Sequence, residues 1–87
     1  MKEITVKIID PVGIHARPAT MLTGAATKFK SECKIITGQK EANLKSIMNV
    51  MALGVKCGTD ITIRVNGEDE DAALENIEKV LKDNNLI

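Results

Sequence analysis

Three stretches of this chain alternate apolar and polar residues with a period of two, and each gathers most of its apolar residues on one side. In "KEITVKII" (2–9), Ile4, Val6 and Ile8 share one face and Glu3, Thr5 and Lys7 the other. "ECKIIT" (32–37) turns Cys33 and Ile35 inward, and "DITIRVN" (60–66) does the same with Ile61, Ile63 and Val65. Successive strand residues point to opposite faces, so such strands build a sheet with one face on a core and the other in water. "KEAN" (40–43) returns from the second stretch through Gly38-Gln39, which suits a tight II′-like hairpin turn. Its polarity marks an edge strand.

The segments between the strands have helical spacing. Leu22, Ala26 and Phe29 fall at i, i+4 and i+7, with Ala19 and Ala25 on the same side, which predicts a helix from about Ala16 to Lys28. Pro18 is tolerated only in a first turn, so the helix starts at about residue 15 or 16. Gly24 costs that helix about 1 kcal/mol relative to Ala and is read as a point of close packing on the sheet. "SIMNVMALG" (46–54) reads as a short helix with Ser46 as N-cap and Gly54 at its C-terminal end. "GEDEDAALENIEKVLKDNN" (67–85) reads as the last helix, its acids at the start and its lysines near the end, as the macrodipole favours. Ala73, Ile77, Val80 and Leu81 form its buried stripe. The order β-α-β-β-α-β-α, with one polar sheet face, predicts a two-layer α+β fold: an antiparallel sheet covered on one side by three helices.

Composition narrows the function classes. The 87 residues suffice for one small domain, and with Phe29 as the only aromatic its core is aliphatic. A formal net charge of zero argues against a nucleic-acid footprint. No apolar run reaches the ~20 residues of a membrane span, and no signal-like segment opens the chain, so a cytoplasmic location is expected. Cys33 and Cys57 are far apart, without a CxxC. With one distant histidine they make no zinc site and are expected to be buried small hydrophobes, a disulfide or redox switch being the alternative.

The only histidine lies in "GIHARPAT" (13–20), at the expected mouth of the first helix. The first N–H groups of a helix lack intrahelical acceptors, and with the macrodipole they favour an anion. Ala16 and Arg17 offer such groups, and the Arg17 guanidinium adds a fork that suits phosphate oxygens. The same dipole disfavours an imidazolium and favours the neutral, nucleophilic ring. One reading unites these residues: His15 takes a phosphoryl group, and the helix end and Arg17 hold its charge. The plain alternative is that His15 merely caps the helix. Arg17 precedes a proline, a position that avoids the α region, so a strained or mobile conformation is expected there.

"GIHARPAT" resembles the active-site signature of the histidine-containing phosphocarrier (HPr) family of the bacterial sugar phosphotransferase system. "NLKSIMNVMALG" (43–54) resembles the regulatory-serine helix of the same family in its Gram-positive form. The resemblance spans the chain as a single domain, 1–87, and implies an open-faced β-sandwich. It implies that Enzyme I, charged by phosphoenolpyruvate, passes a phosphoryl group to Nδ1 of His15, with Arg17 as charge partner. The carrier then gives it to the EIIA domain of a sugar permease, as a stoichiometric intermediate without a cofactor. It also implies that HPr kinase/phosphorylase phosphorylates Ser46. That form accepts phosphoryl at the histidine more slowly and binds the catabolite control protein. Ile47, Met48, Met51 and Thr20 are the expected docking residues, with filling of the core as the alternative for the three apolar ones.

Several positions depart from the family pattern. Val12 stands where Asn or Ser is usual, which removes a side-chain donor near the phosphoryl group; the backbone is expected to substitute. Asn49 replaces a common Gly, and Gly38-Gln39 replaces Asn-Gly. Lys56 and Cys57 vary within a loop. Two other classes compete with the carrier. A regulatory module acting through Ser46 alone is disfavoured because that branch of the family lacks the active-site histidine. A small α+β RNA-binding domain is disfavoured by the missing sheet aromatics and the neutral charge.

Overall fold

A computed structural model describes all 87 residues. The elements run β1 (Lys2–Lys7), α1 (Ala16–Thr27), β2 (Glu32–Thr37), β3 (Lys40–Asn43), α2 (Ile47–Ala52), β4 (Asp60–Asn66) and α3 (Glu70–Asp83). The four strands form one antiparallel sheet in the order β1-β4-β2-β3. β4 therefore lies in the interior beside β1 and β2, and the polar β3 is an edge, as its composition requires.

The inward residues of the strands meet the stripes of the helices. Cys33, Ile35, Ile61, Ile63 and Val65 from the sheet, and Ala19, Leu22, Ala26, Val50, Ala73, Ile77 and Leu81 from the helices, are fully buried in one cluster. Phe29 and Val80 are only half-buried at its margin. The opposite sheet face is polar: Arg64 pairs with Glu3 at 2.9 Å, and Lys34 lies between Glu32 and Glu41 at 3.3 and 3.4 Å.

Three details differ from the sequence reading. β1 stops at Lys7, because Ile8 bonds irregularly, its amide to Thr59 and its carbonyl to Gly58. Only Cys33 is buried, which pushes its thiol pKa up; Cys57 is exposed, in the loop between α2 and β4. Gly24 does not pack on the sheet. It faces solvent, and a Cβ there would meet nothing within 4 Å. Gly24→Ala is therefore expected to stabilise the fold by about 1 kcal/mol, read as a higher urea midpoint with an unchanged slope; a lower midpoint would contradict this placement. Asp69 is the N-cap residue of α3. Its carboxylate makes no cap bond to α3. It reaches across to the end of the α1–β2 connection, accepting from the amides of Lys30 and Ser31 at 2.9 Å each and from the Ser31 hydroxyl.

These donors, the Ser31 hydroxyl foremost, lower the Asp69 pKa to about 2. A carboxyl held below its unfolded value adds stability that is complete above the unfolded pKa and disappears as pH falls through the folded one. The urea midpoint is therefore expected to drop between about pH 4 and pH 2. Asp69→Asn should be less stable at neutral pH and lose less on acidification. An acid limb identical to the parent's would contradict the clamp.

The hairpin forms as read: Thr37 pairs with Lys40, and Gly38 has φ +57° at the first turn position while Gln39 keeps a negative φ. Ser46 is the N-cap of α2, its Oγ accepting from the Asn49 amide at 3.3 Å.

Candidate functional site

His15 is the N-cap of α1. Its backbone is extended, at φ −102° and ψ −167°, and its carbonyl accepts from the Ala19 amide at 3.0 Å, while its side chain makes no capping bond. A capping role is therefore not what the imidazole performs. Pro18 occupies the third helical position and has no N–H, so Ala16 and Arg17 supply the only free amides of the first turn. Arg17 adopts helical backbone despite the proline that follows. Its exposed guanidinium makes no ion pair, in contrast to the Arg64 side chain committed to Glu3.

The loop that delivers His15 is held at three points. The Ile9 amide donates to the Leu86 carbonyl at 2.7 Å, and the Ile14 amide to the Val55 carbonyl at 3.1 Å. Between them Gly13, at φ +83°, lies flat against the loop after α2, where a Cβ would stand 2.2 Å from the Val55 carbonyl oxygen and 2.8 Å from Lys56 Cα. This contact joins the two sequence motifs, since the loop following the Ser46 helix supports the backbone preceding His15.

Three of the loop amides are in use. Val12 donates to Asp10 Oδ1 at 2.9 Å, Gly13 to the Asp10 carbonyl at 2.9 Å, and Ile14 to Val55. None of these three amides substitutes for a polar side chain at position 12, so the backbone donors beside His15 are the free amides of Ala16 and Arg17, and Val12 itself presents only an apolar side chain, 67% exposed. His15 and Arg17 instead border a shallow depression of about 310 Å³, completed by Asp10, Pro18, Met21 and the C-terminal end of α3 at Asp83, Asn84 and Asn85.

Ser46 is half-buried. In the next turns Ile47, Met48 and Met51 are 39%, 83% and 45% exposed, while Val50 alone anchors α2 in the core. The core-filling alternative for the three is therefore excluded. Thr20 is exposed on α1, its hydroxyl donating to the Ala16 carbonyl at 2.8 Å. Sequence reasoning missed the contribution of α3. The only local signal was the Asn-Asn pair at its end, since Asn is the residue that most readily follows Gly into a positive φ.

Residues 2–83 match the family model described as the PTS HPr component phosphorylation site. The chain is 50% identical over 88 residues to the phosphocarrier protein HPr of Mycoplasma pneumoniae, covering all of both chains. It is 48% identical over 86 residues to that of Lysinibacillus sphaericus, covering 99% and 98%. Among solved structures, the histidine-containing phosphocarrier protein of Mycoplasma superposes with a TM-score of 0.98 at 48% identity, covering 99% and 98% of the two chains. The catabolite repression protein Crh of Bacillus subtilis, a swapped dimer, is 34% identical with a TM-score of 0.76 over the whole of both chains. The chain belongs to the HPr family of phosphocarrier proteins, of the Gram-positive type.

Proposed function

We propose that this protein, acting as a single carrier domain in the cytoplasm, accepts a phosphoryl group from phospho-Enzyme I on Nδ1 of His15 and passes it to EIIA domains of sugar permeases. The observation that carries this is the arrangement at the start of α1: an imidazole free of any capping bond, beside two free amides and an unpaired guanidinium. The neutral ring attacks phosphorus in line as the bond to the donor histidine of Enzyme I breaks, and that histidine leaves with the electron pair. Charge on the equatorial oxygens is met by the Ala16 and Arg17 amides and the Arg17 guanidinium, so positioning and electrostatics do the catalytic work. The second transfer runs the same step towards EIIA, leaving the carrier unchanged.

Ser46 is the regulatory acceptor for HPr kinase/phosphorylase in this reading. The exposed Ile47, Met48 and Met51, with Thr20 on the neighbouring helix, dock the partners: Enzyme I, EIIA, the kinase and, in the phosphoserine form, the catabolite control protein. A phosphate on Ser46 adds roughly two negative charges beside that apolar surface and repels an acidic partner. The resemblance to Crh supports the regulatory half.

The test is a relay. Phosphoryl from phosphoenolpyruvate should reach an EIIA domain only when Enzyme I and this protein are both present, and Ser46→Asp should slow the first transfer. Labelling of EIIA at the same rate without the protein would overturn the carrier role. An unchanged Ser46→Asp rate would remove the inhibitory role of Ser46.

A further inference from the structure

Away from Arg17, the depression beside His15 has few hydrogen-bond donors. Around its rim Pro18 has no N–H, Met21 has no polar hydrogen, and Asp10 and Asp83 are acceptors. Asp10 Oδ1 is committed to the Val12 amide, and the amides of Val12, Gly13 and Ile14 are spent within the fold. The Asn84 carboxamide donates to the Val80 carbonyl at 2.8 Å. That bond uses one of the two Asn84 amide hydrogens, whereas the exposed Asn85 carboxamide has both free.

Asn85 is also the only non-glycine residue of the chain with a positive φ, +58°. It follows the Asn84 cap of α3, its amide donating to the Lys82 carbonyl at 3.1 Å while that of Leu86 reaches back to the Leu81 carbonyl at 2.9 Å. This double closure ends the helix, sends Leu86 into the core and leaves its carbonyl to hold Ile9. Glycine would make the same turn without the steric cost of a Cβ. Asn is the usual non-glycine residue for such a turn, and here it places a carboxamide on the rim of the depression shared by His15 and Arg17.

We infer that the Asn85 carboxamide donates a hydrogen bond to the phosphoryl group carried on His15, opposite the Arg17 guanidinium. This rests on His15 being the carrier. A neutral donor suits the position: a phosphoryl dianion beside the Asp83 carboxylate needs a partner there that adds no further negative charge, and a hydrogen bond to a charged group is among the stronger kind. The contact exists only in the phosphorylated protein, so it shifts the equilibrium towards the phosphorylated carrier.

The readout is the ratio of phosphorylated to free protein at a fixed phosphoenolpyruvate-to-pyruvate ratio with catalytic Enzyme I. A catalyst cannot move that equilibrium, so an effect of Asn85 on docking to Enzyme I leaves it unchanged. Asn85→Gly keeps the positive φ and removes the carboxamide. It is expected to lower the ratio about tenfold with Tm equal or higher. Asn85→Asp, which keeps the shape and tolerates the same backbone, should lower it further. A ratio unchanged in both variants overturns the inference while leaving His15 as the carrier. Failure of the parent protein to take up any phosphoryl group defeats the carrier reading itself, and the inference with it.

Discussion

His15→Ala is expected to accept no phosphoryl group from Enzyme I while folding as the parent does. The imidazole is half-buried at the mouth of α1 and makes no capping bond, so its removal takes away no hydrogen bond of the cap and little core area. The urea midpoint should shift by no more than about 0.5 kcal/mol, as for a surface substitution. Acceptance has no other route in this reading, because His15 is the only histidine of the chain. Acid-labile phosphate on the variant would show that the acceptor lies elsewhere.

Gly13→Ala is expected to damage both stability and transfer. At φ +83° a Cβ costs about 1–2 kcal/mol before any contact is considered. That Cβ would also stand 2.2 Å from the Val55 carbonyl oxygen, a backbone atom that cannot swing aside as a side chain would. Either the loop before His15 or the loop after α2 must move, and the Ile14–Val55 hydrogen bond joins the two. A total loss of about 3 kcal/mol is expected in urea unfolding. Transfer from Enzyme I should slow about 100-fold, the scale set by an ångström of misplacement at a reacting centre. A variant with the parent's midpoint and rate would show that Gly13 is not the support for His15.

The strands, the helices and their order were legible because each element carries its own period. β2, β3 and β4 fall where the alternation places them, and Ser46 caps α2 with the bond its residue type suggests. The position of His15 followed from one local constraint, that Pro18 can only sit in a first turn. What was not legible joins residues distant in sequence. The Asp69 carboxylate satisfies amides 38 and 39 residues away, and only those donors turn it from its own helix. The residue type of Gly24 alone suggests the sheet side, whereas on α1 it falls with the exposed Met21 and Lys28, away from Leu22 and Ala26. Cys57 lies in a loop with no period to assign its side, and its thiol is exposed, facing the Ile9 carbonyl at 3.7 Å. The α3 end became part of the candidate site through the Leu86–Ile9 bond, which no pattern near His15 announces. The loop amides are a further case: whether they are free to bind depends on acceptors at Asp10 and Val55, one local and one 41 residues on.

The most direct measurement is intact mass after incubation with phosphoenolpyruvate and Enzyme I, repeated after brief acid treatment. A single added phosphoryl group that acid removes, absent when Enzyme I is omitted, is the result predicted for a carrier using His15. An unmodified mass, in a mixture where a known carrier is phosphorylated, would contradict phosphotransfer by this protein.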